Sequence, residues 1–128
     1  MDTLTLRNIR EAWGEIRPGL EHVRQKTEAP WRVEDVYAAC LVGQAFLYVG
    51  EPGFIVVQPQ EDKLSGEPEL LVWVAYSSDH GSVDRFQPAV DALARDKGFK
   101  KLVMWSNRPG WEKNDGWKAV ATVYERAV

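Results

Sequence analysis

The spacing of apolar residues changes along the chain, and each change predicts a different element. Residues 3–6 alternate polar and apolar side chains, which predicts a short first strand. From Asn8 onward apolar residues recur every three or four positions, which predicts a helix capped by Asn8, with Glu11 completing a capping box. Pro18 and Gly19 interrupt this pattern. Because proline lacks the amide hydrogen that a helix interior requires, we expect two short helices there rather than one.

The middle of the chain predicts a second helix followed by a hairpin. Apolar residues share one helical face from Val33 onward, and Gly43 is placed to end this helix, because glycine readily adopts the conformation of a C-terminal cap. Residues 46–49 and 54–57 are apolar runs separated by Gly-Glu-Pro-Gly at 50–53. This spacing predicts two antiparallel strands joined by a tight turn.

The second half predicts two buried strands on either side of a helix. Residues 69–75 are almost all apolar, which is typical of a strand covered on both faces. Helical spacing follows over 83–93 and stops at Gly98, and residues 101–105 form another apolar run. This order indicates a βαβ unit with parallel strands, and hence an α/β fold with a sheet of mixed direction. Residues 117–128 alternate again and predict a closing strand.

Composition limits what such a domain can do. A chain of 128 residues with 45% hydrophobic residues can bury a core as one domain. The net charge of −3 and the lack of a basic block argue against sequence-specific nucleic-acid binding. No apolar run approaches the length of a membrane span, and no signal peptide is visible. We therefore expect a cytoplasmic protein with no membrane partner.

Few residues invite a chemical role on their own. Cys40 shares an apolar helical face with Val36 and Leu41, a pattern more typical of a buried structural thiol than of a nucleophile. His22 and His80 are far apart in sequence, and no Cys/His cluster has the spacing of metal ligands. We expect no metal site.

The end of the chain carries residues that resemble a known family. Asn107 follows the fifth predicted strand, residues 111–117 read Trp-Glu-Lys-Asn-Asp-Gly-Trp, and Tyr124 is followed by Glu and Arg. With the element order, these positions resemble the GNAT (Gcn5-related N-acetyltransferase) superfamily over essentially the whole chain. The resemblance implies a single GNAT-like domain over residues 1–128, with a mixed, mostly antiparallel sheet, a central βαβ unit and helices on both faces.

The resemblance also implies where acetyl-CoA would bind if the chain is an enzyme. Backbone groups at 73–76 would pair with the pantetheine arm, and the amides at 82–85 would hold the pyrophosphate. Glu51 or Tyr48 would activate an acceptor amine and Tyr124 would serve as the acid, although a glutamate beside Pro-Gly is also typical of a solvated turn. The cofactor residues of this enzyme interpretation are Trp73, Val74, Ser82, Val83, Asp84, Arg85 and Asn107.

Several positions depart from the family pattern. Family enzymes carry a glycine-rich loop before the helix, whereas this chain keeps only Gly81 there, flanked by Asp79 and Asp84. Carboxylates beside a pyrophosphate repel it, and Pro88 removes an amide near the helix start. Trp111 lies in the neighbourhood of the family's usual tyrosine acid. These departures predict a protein that binds no cofactor and keeps the fold without the catalysis.

Two groups of residues suggest an interaction surface instead. Trp105, Arg108 and Trp111 surround a Pro-Gly turn, and tryptophan and arginine are the types most enriched at interface hot spots. The alternative is a local cluster in which Trp111 packs on the turn and caps the sheet. Arg17 and Arg24 belong to a row of arginines along the first helical region, whose alternative is a solvated face balanced by glutamates.

The sequence therefore predicts a GNAT-like protein that acts mainly through protein–protein contacts. The tryptophan-rich form is similar to GNAT-like proteins of bacteriophages and prophages, which implies a virion assembly or head–tail connector component. Its partners would then be virion proteins or copies of itself, in the host cytoplasm or the virion. One alternative is an acetyl-CoA-dependent N-acetyltransferase, and another is a takeover factor that binds one host protein.

Overall fold

A computed structural model describes residues 3–51, 53–78, 82–106, 113 and 116–128, with residues 82–85 described by their backbone alone. The described elements, in chain order, are β1 (Thr5–Arg7), α1 (Ile9–Thr27), α2 (Val33–Leu41), β2 (Phe46–Val49), β3 (Gly53–Glu61), β4 (Pro68–Ser77), α3 (Ser82–Asp96) and β5 (Leu102–Val103).

The five strands form one sheet in the order β1-β2-β3-β4-β5. The first four strands pair antiparallel, and β5 pairs parallel to β4. The fold prediction is confirmed: the sheet is mixed and mostly antiparallel, and β4, α3 and β5 form a βαβ unit. The predicted hairpin is also confirmed, because Gly50 and Gly53 exchange backbone hydrogen bonds of 2.9 and 3.0 Å. A Cβ on Gly53 would lie 1.9 Å from the carbonyl oxygen of Tyr76, so the turn requires glycine.

Helices cover both faces of this sheet, and each face has its own core. On one face α1 and α2 pack on β2, β3 and β4. On the other face α3 packs on the same three strands. The buried residues of the α1–α2 face are Ile9, Ala12, Ile16, Leu20, Val33, Val36, Ala39, Ala45, Leu47, Phe54, Val56 and Val74. Those of the α3 face are Tyr48, Ile55, Val57, Leu70, Phe86, Val90 and Ala94.

Helix α1 corrects the prediction of two short helices, because it runs unbroken through Pro18. Pro18 lies on the exposed side of the helix, as does Gly14, whose carbonyl would have accepted the missing hydrogen bond. Water can therefore satisfy that carbonyl. The buried stripe that includes Ile16 and Leu20 holds the helix on the sheet. Apolar packing on one face outweighs the local defect on the other.

The predicted helix ends follow local chemistry. The amide of Arg10 donates to Asn8 Oδ1 at 2.9 Å, which confirms Asn8 as the N-terminal cap. Helix α2 ends just before Gly43, at φ +79°, and α3 ends just before Gly98, at φ +86°. Both glycines adopt the left-handed conformation that stops a helix.

The predicted closing strand is wrong. Residues 117–128 have no strand pairing, and the side chains of Val120, Val123 and Tyr124 are 75%, 90% and 89% exposed. A strand requires a neighbour for its N–H and C=O groups. The adjacent strand β5 spans only Leu102–Val103, not the predicted 101–105, and offers this segment little edge.

Candidate functional site

Strand β4 contains an irregularity at Trp73 that regular alternation did not predict. Val56 of β3 lies opposite Val74, but the next residue, Val57, lies opposite Val72. Trp73 therefore has no partner across the ladder. Two residues of β4 oppose one position of β3, which is a β-bulge.

The bulge reverses which face of the sheet the β4 side chains cover. Before it, Leu70 and Val72 pack on the α3 side. After it, Val74 and Tyr76 pack on the α1–α2 side, although regular alternation would place both on the α3 side. Trp73 also packs there, with its ring edge-on to Trp31 at a centroid distance of 6.3 Å.

The pairing of β5 with β4 ends at Leu71, two residues before the bulge. The two strands pair only at Leu70↔Leu102 and Leu71↔Val103, with the Leu70 amide donating to the Lys101 carbonyl at 3.1 Å. From residue 72 to 76, the β5-facing edge of β4 has no sheet partner among the described residues. We call this edge the β4 cleft. Its unpaired backbone groups can bind an extended ligand, as a neighbouring strand would.

Helix α3 begins beside the carboxyl end of the β4 cleft. It starts at Ser82, five residues after β4 ends at Ser77. The first amides of a helix and its dipole favour an anion such as a phosphate. The predicted pyrophosphate ligands Ser82, Val83, Asp84 and Arg85 form this first turn. Asp79 and Gly81 lie outside the described residues, so the predicted repulsion at the loop stays a prediction.

Aromatic side chains cover the α1 side of the cleft. Tyr76 stacks on Phe54 at 5.4 Å, and His22 of α1 meets the Tyr76 ring edge-on at 5.8 Å. Helix α1 approaches closely here because Gly19 has no side chain: a Cβ on it would lie 2.8 Å from the Phe54 ring. The sequence analysis missed this cluster. The sequence signal for it is Gly19, which marks a close approach rather than a helix break.

The two predicted catalytic side chains are both exposed. Glu51 lies in the β2–β3 turn, next to Gly53, which pairs with Ser77 at the carboxyl end of β4. Tyr124 lies in the unpaired C-terminal residues and is 89% exposed. Neither position is enclosed by the described structure, and the structure does not test either chemical role.

The predicted interaction residues differ in their exposure and in their local contacts. Trp105 is 77% exposed just after β5. Arg17 forms ion pairs with Glu21 at 3.3 Å and Glu34 at 3.7 Å, and so links α1 to α2. Arg24 Nε donates to a backbone carbonyl at 2.9 Å, that of Trp31 in the α1–α2 connection. Both arginines have local structural contacts, and their role towards a partner stays a prediction. Asn107, Arg108 and Trp111 lie outside the described residues.

Cys40 fits the expected structural thiol. It is half-buried against the α1–α2 core, and burial raises its pKa to about 11. The thiol is therefore protonated at neutral pH and is a weak nucleophile.

Among the described residues, no three His, Cys, Asp or Glu side chains are grouped as metal ligands. In that same part of the chain, no helix is long and apolar enough to cross a membrane.

Solved structures similar to this chain include three acetyltransferases. A ribosomal-protein-alanine N-acetyltransferase from Brucella melitensis biovar Abortus 2308 matches 100% of both chains, with 17% identity and a TM-score of 0.69. A GNAT family acetyltransferase from Staphylococcus aureus matches 99% of this chain and 98% of its own, with 11% identity and a TM-score of 0.63. An acetyltransferase from Trypanosoma brucei matches 100% of both chains, with 16% identity and a TM-score of 0.62.

These similarities establish the fold. The chain has the α/β fold of GNAT acetyltransferases along its whole length. Neither a protein-family model nor a curated protein sequence matches it.

Proposed function

We propose that this chain uses the GNAT fold as a scaffold and acts mainly by binding another protein. The observation that carries this proposal is the exposure of residues 118–128. An acetyltransferase of this fold would use its last residues to close the acceptor site. Here the side chain assigned as the acid, Tyr124, is 89% exposed, and so is most of Val120 and Val123.

Contiguous exposed apolar patches often mark a contact surface, and these side chains follow one another along a short segment. Trp105 is a second exposed apolar residue, 77% exposed just after β5. Tryptophan contributes more than most residues to binding energy when a partner covers it. The aspartates at 79 and 84 in the sequence further support a scaffold role, since they would repel a pyrophosphate.

A concrete form of this proposal is a virion assembly or head–tail connector component in which many copies pack together. Co-purification from infected cells tests that form. Recovery of the chain in assembled particles would support it, and a chain found only free in the cytosol would contradict it.

The second candidate is an acetyl-CoA-dependent N-acetyltransferase, and the β4 cleft is the observation that favours it. The unpaired edge at 72–76 would pair with the amides of a pantetheine arm, and the first turn of α3 would bind a phosphate. Bound acetyl-CoA would supply the acyl group. The chain's own part would be to align the thioester beside Trp73 and Val74.

Thermal unfolding with and without acetyl-CoA distinguishes the two candidates. A ligand at about a hundredfold over its dissociation constant stabilises a protein by about 2.7 kcal/mol. For a domain of this size the melting temperature would rise by roughly 10 °C. We expect no shift at millimolar acetyl-CoA. A clear shift with acetyl-CoA that is absent with the pantetheine-free nucleotide would overturn the scaffold proposal.

A further inference from the structure

Several exposed apolar side chains of the described residues belong to one of two regions. One is residues 117–128, which we call the C-terminal segment. The other surrounds a groove at the β1 edge of the sheet. The segment exposes Val120, Val123, Tyr124 and Val128, and the surroundings of the groove expose Leu6, Leu41, Val42 and Phe46.

The groove is open and has a volume of about 600 Å³. It lies between β1, the start of α1, the end of α2 and β2, and its lining includes Leu6, Leu41 and Phe46. Strand β1 is the last strand of the sheet on this side, so its outer edge has no strand partner in the described structure. Leu6 is 56% exposed beside that edge. An edge of this kind is a template for another strand.

The C-terminal segment has the composition of a strand without a partner. It reads Trp-Lys-Ala-Val-Ala-Thr-Val-Tyr-Glu-Arg-Ala-Val, with β-branched and aromatic residues and no proline or glycine. In an extended conformation Val120 and Tyr124 share one face. Its start is fixed, because Trp117 Nε1 donates to Gln87 Oε1 of α3 at 3.1 Å. Beyond that point the segment forms no strand within its own copy.

We propose that the C-terminal segment of one copy adds as a strand to the β1 edge of a second copy. Backbone hydrogen bonds to β1 would supply affinity, and Val120 and Tyr124 would fill the groove beside Leu6. Arg7 and Arg10 line the groove, and the segment carries Glu125 beside Lys118 and Arg126, so backbone pairing and apolar contact carry the inference rather than charge. This inference rests on the proposed contact function and names the partner as another copy of this chain.

The contact joins two different surfaces, so each copy keeps one free segment and one free groove. Such head-to-tail contacts build rings where the rotation closes and open filaments where it does not. This geometry suits a protein that packs in many copies.

Sedimentation equilibrium of three variants tests the contact. The first removes residues 119–128, which leaves the Trp117 anchor and every described strand intact. The second is Leu6→Glu, which places a charge in the groove at an exposed position. The third is Leu64→Glu, a matched control, because Leu64 is 99% exposed in the β3–β4 loop away from the groove. Circular dichroism verifies that each variant folds.

We expect the wild type and Leu64→Glu to associate as concentration rises, and the other two variants to stay monomeric. A mixture of the truncated chain with Leu6→Glu should form 1:1 dimers and nothing larger, because only one groove and one segment remain intact. A synthetic peptide of residues 117–128 should bind the truncated chain, and Leu6→Glu in that chain should weaken binding at least about tenfold.

Three results would overturn the proposal. A wild type that stays monomeric throughout would exclude the second copy, and so would association that survives Leu6→Glu unchanged. Hydrogen-exchange protection of residues 118–128 in a monomer would show that the segment folds onto its own copy. None of these results refutes binding to a different protein. The proposed scaffold function is refuted separately, if acetyl-CoA raises the melting temperature of the chain.

Discussion

Replacing Pro18 with alanine should stabilise this protein by about 2 kcal/mol. Pro18 lies ten residues into the continuous helix α1, where proline is about 3 kcal/mol less favourable than alanine. Alanine restores an amide that can donate to the carbonyl of Gly14, one turn earlier. Pro18 and Gly14 are both exposed, so water already satisfies part of that carbonyl and the gain falls below the full value.

The expected change is large enough to measure by thermal or chemical denaturation. With 128 residues, the unfolding entropy near the midpoint is roughly 0.27 kcal/mol per kelvin. A gain of about 2 kcal/mol therefore raises the melting temperature by about 7 °C. Urea unfolding should show a higher midpoint with an unchanged slope, because the surface exposed on unfolding is the same.

Pro30→Ala is the matched control. Pro30 is exposed in the connection between α1 and α2, where no helical hydrogen bond is missing. Its replacement raises only the conformational entropy of the unfolded chain, and should therefore destabilise the protein by about 0.4–1 kcal/mol. If Pro18→Ala also destabilises the protein, then α1 is not a continuous helix at this point, and the structural account of Pro18 is wrong.

Three further predictions follow from other contacts. Gly19→Ala should lower the free energy of unfolding by about 1–2 kcal/mol in the same urea assay, because the alanine Cβ would lie 2.8 Å from the Phe54 ring. This clash outweighs the better helix propensity of alanine. Unchanged stability would contradict the close approach. Asp62 accepts from Lys101 Nζ at 2.8 Å, which lowers its pKa from 3.8 to about 2, so its contribution to stability should be full above pH 4 and be lost as pH falls through 2. Asp62→Asn should flatten the stability profile in that window, and an unaltered profile would exclude the pair as its cause. Gly53→Ala should prevent the β2–β3 turn from closing as described and reduce the yield of folded protein, and wild-type stability would refute the contact with Tyr76.

Local chemistry made part of this fold predictable from sequence. Asn8 at the start of α1 and the glycines at 43 and 98 act within one turn of their own position, so neighbours in sequence suffice to identify them. The hairpin at residues 50–53 is equally local. The apolar run of β4 predicted a buried strand and, with the next run, a parallel pair.

The features that sequence did not reveal depend on distant parts of the chain. Helix α1 survives Pro18 only because Ile16 and Leu20 pack on the sheet. The bulge at Trp73 lies within an apolar run that looks the same with or without it, and only pairing with Val56 and Val57 of β3 defines its position. Whether residues 117–128 form a strand depends on whether a sheet edge is available. The alternation of polar and apolar residues within the segment carries no information about that edge.

The β4 cleft and the exposed C-terminal segment have a common structural cause, which is the early end of β5. At Trp73 the bulge changes the course of β4, and β5 follows β4 only as far as Val103. The described part of β5 therefore offers a closing strand no edge beyond Val103, and residues 118–128 are exposed. The early end of this pairing accounts for both the unpaired edge of the β4 cleft and the lack of strand pairing in the C-terminal segment. A ligand in the cleft would compete with a strand on the same edge of β4, whereas a strand on β1 would leave the cleft open. Acetyl-CoA should therefore have no effect on association through β1, and inhibition of association by acetyl-CoA would place the contact at the β4 cleft instead.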